Sequence, residues 1–80
     1  MVLEIYAENN GGKAMDAQDL IRRYKDGERD FSEVDLRDVD LRQVILHGIN
    51  LREANLTGAR LYDADLSDAD LSWAILIGAE

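Results

Sequence analysis

Residues able to do chemistry are few in this chain, and they are scattered. His47 is the single histidine, and no cysteine accompanies it. It follows Leu46 at a place that reads as outward-facing. A lone surface imidazole lacks both the partner of a general base and the further ligands of a metal site. Ser32, Ser67 and Ser72 likewise follow apolar residues, and only Ser67 stands twenty residues after His47. A serine–histidine contact without an orienting acid and oxyanion donors is not an acyl-transfer site. Asp63, Asp65, Asp68 and Asp70 form the densest acidic stretch, but their spacing is not that of an EF-hand loop. They read as a solvated face. No catalytic, cofactor-binding or metal-binding residue is expected, and the chain is not expected to be an enzyme.

The chain has 80 residues, enough for one small domain close to the limit of independent stability. Without cysteine, a disulfide framework is excluded. Nine basic residues stand against seventeen acidic ones, a net charge of −8. Such a surface repels phosphate backbones, which excludes direct nucleic-acid binding as the expectation. Solubility, or contact with a basic protein partner, suits it better. No apolar run approaches the roughly 20 residues of a membrane span. The start carries Glu4 and Glu8 and lacks the basic opening of a secretory signal. A cytoplasmic protein is expected.

The elements that would position any site follow a period of five. Phe31, Leu36, Leu41, Leu46, Leu51, Leu56, Leu61, Leu66, Leu71 and Leu76 recur at that interval. Two residues before each leucine stands Val34, Val39, Val44, Ile49, Ala54, Ala59, Ala64, Ala69 or Ala74. Between the two lies Asp or Asn in most units. A period of five fits neither the 3.6 of a helix nor the 2 of a strand. It fits a chain that turns a corner once per unit, with two side chains inward and three outward.

This A-(D/N)-L-x-x pattern closely resembles the pentapeptide-repeat family, over about 50 of the 80 residues. The resemblance implies an all-β fold: a right-handed quadrilateral β-helix with four units per coil, here about two and a half coils. Residues twenty apart would then stack, Phe31 under Leu51 under Leu71, and Leu36 under Leu56 under Leu76. The Asp or Asn would sit outside and bond the turn backbone. Asp40, Arg60 and Glu80 would stack with alternating charge. The stretch from Met15, MDAQDLIRRYKDGERDF, also resembles the opening of many cyanobacterial members.

Residues 16 to 25 read as a short amphipathic helix. Asp16 is the N-cap, Asp19 suits the first turn, and Arg22, Arg23 and Lys25 suit the last. Gly27 is the stop. Leu20, Ile21 and Tyr24 share one face, and so short a helix needs a surface to pack on. The open end of the first coil supplies it, where Val and Ile replace Ala at the small positions. The organisation expected is an extension over 1–14, a capping helix over 15–28 and the repeats over 29–80. Val2 to Tyr6 reads as a brief strand, and Asn9 to Gly12 as a turn.

The other end is anomalous. Trp73, Ile75 and Ile77 all fall at outward positions, and Ile75 replaces the usual Asp or Asn. A contiguous apolar patch outside needs a partner. The chain reaches Glu80 two residues into an eleventh unit, leaving an uncovered sheet edge. The expectation is a non-enzymatic interaction or scaffold module that forms a homodimer through this end. Further repeats of a longer protein would fill the same role. The resemblance implies a second reading, because some members of the family act on gyrase as acidic DNA mimics. Against it, two and a half coils at roughly 4.8 Å span only about 12 Å.

Overall fold

A computed structural model describes residues 14–80. The expected strand at Val2 to Tyr6, the turn at Asn9 to Gly12 and the extension apart from Ala14 lie outside the described residues.

Ten five-residue units wind into stacked four-sided coils. Parallel pairings join Asp30 to Asn50, Asp35 to Asn55, Asp40 to Arg60, Ile45 to Asp65, Asn50 to Asp70 and Asn55 to Ile75. The register is therefore twenty residues, and four units close one coil. The first wall carries Asp30, Asn50 and Asp70, and the second Asp35, Asn55 and Ile75. The third carries Asp40, Arg60 and Glu80, and the fourth Ile45 and Asp65. Each wall pairs through one residue only, so the expected β character takes the form of isolated bridges rather than continuous strands. A five-residue unit leaves no room for more between corners.

The corner explains the period. In the turn Leu36–Arg37–Asp38–Val39, the Val39 N–H donates to the Leu36 carbonyl at 3.4 Å, and Asp38 takes a φ of +63°. The same place in every unit from Glu33 to Gly78 has a positive φ between 60° and 71°. A left-handed residue at the third turn position is what a type II turn demands. Coils are then tied by three backbone bonds per unit. Leu36 N–H donates to Asn55 O at 2.8 Å, Asp38 N–H to Thr57 O at 2.9 Å, and Asn55 N–H to Val34 O at 2.9 Å.

The leucine ladder fills the interior. Phe31, Leu36, Leu41, Leu46, Leu51 and Leu56 are buried, together with Val39, Ile49, Ala54 and Ala59. Burial then fades along the axis. Leu61, Leu66 and Leu71 are only partly buried, and Leu76, read from the repeat as a core residue, is 44% exposed. Nothing among the described residues stacks on that layer.

The opposite end is closed by helix α1, Ala17–Lys25. Asp16 caps it, accepting from the Asp19 N–H at 2.8 Å. Gly27, at φ +101°, ends it: Gly27 N–H donates to Tyr24 O and Glu28 N–H to Arg23 O, the paired bonds of a Schellman motif. Leu20 is fully buried against the first coil, with Met15, Ile21 and Tyr24 packed beside it. The Tyr24 hydroxyl donates to the His47 carbonyl at 2.7 Å, and the Arg23 guanidinium lies 5.3 Å from the centre of the Phe31 ring. Ahead of the helix, Ala14 pairs with Asp35, and Met15 N–H donates to Asp35 O at 2.9 Å. The chain thus enters beneath the second wall before the helix crosses the coil end.

The burial gradient makes a paired test. Leu56→Ala should lower stability by roughly 2–5 kcal/mol, as a cavity among packed aliphatic groups does. Leu76→Ala should cost about 1 kcal/mol or less, because its surroundings can relax into solvent. Urea titration of both variants measures the difference. Equal losses would mean that the interior does not end where the structure places its open layer.

Candidate interaction surface at the open layer

The outward Asp and Asn side chains are turn-builders first. Asp30, Asp35, Asp40, Asn50, Asn55, Asp65 and Asp70 each accept the N–H of the residue two places on, at 3.0–3.2 Å. Where that residue is Ser or Thr, its hydroxyl donates to the same oxygen, as Ser32 does to Asp30 at 2.7 Å and Ser72 to Asp70 at 2.6 Å. Where it is Arg following an Asp, a fork closes on the carboxylate. Arg37 grips Asp35 at 2.9 and 2.7 Å, and Arg42 grips Asp40 at 2.8 and 2.6 Å. Asp35 and Asn55 are buried despite pointing outward. Asp35 is covered by Arg37 on one side, with the Ala14 pairing beside it.

These bonds favour the ionised carboxylates. The Arg42 guanidinium holds Asp40 down to about 2. Arg37 lowers Asp35, and the hydroxyl and N–H of Ser32, Ser67 and Ser72 lower Asp30, Asp65 and Asp70.

His47 and Ser67 do meet, with Nδ1 to Oγ at 2.9 Å, and His47 Nε2 lies 3.6 Å from Asp68. The Ser67 hydroxyl donates to Asp65, however, and is not aimed at the imidazole as an activated nucleophile would be. The group is exposed. Among the described residues no three His, Asp or Glu side chains gather as metal ligands do, and no helix is long and apolar enough to cross a membrane.

The apolar surface at the last layer is the other feature. Trp73 is 82% exposed and Ile77 72%. Ile75 differs from the sequence expectation: it is half-buried, stacked over Asn55 on the second wall. Leu76, assigned to the interior by the repeat, joins the surface in its place. Trp73 also occupies the left-handed turn position, with φ +62°. A bulky side chain rarely takes that conformation, and here it does so without burial in return. Sequence spacing located the tryptophan on the outside but carried no sign of its backbone state.

The edge itself is unpaired. The backbone N–H groups of Leu66, Asp68, Leu71, Trp73, Leu76 and Gly78 make no hydrogen bond among the described residues, whereas their equivalents one coil below all do. They form a row of donors at the spacing of a coil. A second apolar feature, a groove of about 380 Å³ between α1 and the fourth wall, is lined by Ile21, Tyr24, Val44 and the exposed Ile45. The Ile45 N–H beside it also makes no hydrogen bond among the described residues.

The sequence model of the family described as Pentapeptide repeats matches residues 30–68 and 64–80, with eight copies. Among solved structures, alr5209, a pentapeptide repeat protein from Nostoc Pcc 7120, is 31% identical. The alignment covers 84% of this chain and 77% of that one, with a TM-score of 0.44. No curated protein matches the chain.

The depressed carboxylates set an acid response. A folded-state value below the usual ~3.9 of an unfolded aspartate gives stability that is present above about pH 4 and lost below it. Asp40, held at about 2, loses its share as pH falls from about 4 to about 2. The melting temperature should be level from neutral pH to about 5 and drop below about 4. Asp40→Asn should flatten that drop, since an amide still accepts the turn N–H, as Asn50 and Asn55 do. Melting followed by circular dichroism checks it. A rise in stability on acidification would show relief of the net negative charge to be the larger effect.

Proposed function

Because the chain belongs to the pentapeptide-repeat family, we propose that it is a non-enzymatic interaction module whose working surface is the open terminal layer. The family carries with it the right-handed, quadrilateral form of the coil. In this reading a second copy seats on the layer across a two-fold axis, the commonest symmetry of small oligomers. The observation that supports it most is the pairing of two features in one place. Exposed Trp73, Leu76 and Ile77 border a row of unpaired N–H groups. Apolar contact and edge-to-edge hydrogen bonding are the two contributions by which sheet edges associate. Trp73 is suited to anchor it, since buried aromatic residues tend to dominate interface energies. The cysteine-free composition fits a reducing compartment, and the cytoplasm is part of the proposal.

The acidic DNA-mimic reading comes from the family resemblance, and the net charge of −8 allows it. The chain is short for that role, and its longest extent is 35 Å with the cap included.

Two substitutions at one residue separate strain from contact. Trp73→Gly should relieve the left-handed strain and leave the isolated fold as stable or more stable, by up to about 1–2 kcal/mol. It should also weaken self-association. Trp73→Ala with Ile77→Asp should give a monomer. Sedimentation equilibrium with parallel melting curves measures both effects. A parent chain that is monomeric at every accessible concentration, with melting independent of concentration, would remove the self-association reading.

A further inference from the structure

The apolar groove between α1 and the fourth wall lies at the helix-capped end of the coil. Ile21, Tyr24, Val44 and Leu46 line it, and Ile45 is 66% exposed at its edge. The other wall positions of the first coil hold Asp30, Asp35 and Asp40, so an exposed isoleucine there is a departure. Above Ile45 the wall is paired, with the Asp65 N–H donating to Val44 O at 2.9 Å. Below, the Ile45 N–H makes no hydrogen bond among the described residues. A free edge donor beside an apolar groove suits an extended segment with apolar side chains on one face. The Asp30 and Asp40 N–H groups also make no hydrogen bond among the described residues, but carboxylates stand at those walls. The cleft beside Asp40 is polar, lined by Arg42, Gln43 and Tyr62. The cation at the apolar groove is Lys25, which is exposed and has no ion pair among the described residues.

We propose that this groove is the docking site of the chain's own residues 2–8, which precede the described residues and add a rung beneath the fourth wall. Their sequence alternates. Leu3, Ile5 and Ala7 share one face of an extended segment, and Val2, Glu4, Tyr6 and Glu8 share the other. The first face suits the apolar groove, and the carboxylates of Glu4 and Glu8 complement Lys25 at its rim. The chain already makes one such rung, because Ala14 pairs beneath the second wall and Met15 N–H donates to Asp35 O at 2.9 Å. The second and fourth walls lie two units apart in either direction, and two five-residue steps back from Ala14 reach Glu4, near the centre of the alternating stretch. Reach is ample, since ten extended residues span up to about 33–36 Å. The tether also gives the segment an effective concentration on the order of millimolar, an advantage that no free peptide has. A modest apolar contact with one or two edge bonds is then enough. The proposal is independent of the interface at the last layer.

Paramagnetic relaxation tests the docking in the full chain. The sequence has no cysteine, so Tyr6→Cys gives a single attachment point for a nitroxide on the outer face of the segment. The amide signals of Gln43, Val44 and Ile45 should be broadened more than those of Asp35 and Leu36, which lie at the second wall beside the tether. Broadening that is strongest at the second wall, or equal at both, would overturn the proposal. Nitroxide-labelled chain mixed with isotope-enriched chain lacking the label should leave the fourth-wall signals sharp. Broadening in that mixture would assign the groove to a second copy and overturn the internal docking. Amide exchange gives a second readout. Ile5→Asp should speed exchange of the Ile45 N–H by about tenfold or more. The Leu56 N–H, bonded to Ile75 O at 2.7 Å, should stay as slow as in the parent and so report an intact coil. An Ile45 N–H that exchanges equally fast in parent and variant would also overturn the proposal.

Discussion

Everything in this fold depends on a left-handed residue at the third position of each turn. Ten consecutive corners use it, from Glu33 to Gly78, and only Gly48, Gly58 and Gly78 are glycines. A non-glycine residue there costs roughly 1–2 kcal/mol, less for Asp and Asn. The cost is offset cooperatively. Once a corner is made, its leucine points inward, its Asp or Asn accepts the turn N–H, and three backbone bonds tie the unit to the next coil. None of these gains is available to a unit alone. The local strain is therefore tolerated only where a neighbouring coil stacks above or below, which is the logic of solenoids in general.

That logic makes the two ends the places where function can reside. The apolar core of the first coil is covered within the chain. Helix α1 lays Leu20 on the core, Arg23 beside Phe31, and Tyr24 against the His47 carbonyl, while Met15 pairs beneath the second wall. The last layer carries the strain without the return. Trp73 takes the left-handed conformation with its ring exposed, and the donors beside it have no acceptor among the described residues.

The interior was legible in the sequence because a period of five has one physical reading once helix and strand are excluded. Leu56 could be placed in the core, and Asp16 and Gly27 at the ends of the helix, from residue type and spacing. The corners were less legible. Glu, Asp, Gln and Trp do not announce a positive φ, and the glycines mark only three of the ten sites. The fade of burial was hidden for a different reason. The repeat assigns Leu76 the same role as Leu56, but burial depends on what lies above, which no pattern within the unit encodes. Ile75 was read as exposed by its position and is half-buried through stacking on Asn55. The outward Asp35 is buried by the fork of Arg37 in its own unit and by the pairing with Ala14, which lies outside the repeats.

The central claim is that backbone bonds tie each unit to the next coil, and that the corresponding donors of 66–78 have no partner among the described residues. Residue-resolved amide hydrogen exchange at low protein concentration and low salt tests it most directly. The N–H groups of Phe31, Leu36, Asp38, Leu46, Leu51 and Leu56 donate to the next coil and should exchange slowly. Those of Leu71, Trp73, Leu76 and Gly78 occupy the same repeat positions without acceptors among the described residues and should exchange fast. Equal protection of both sets in the dilute chain would contradict the account.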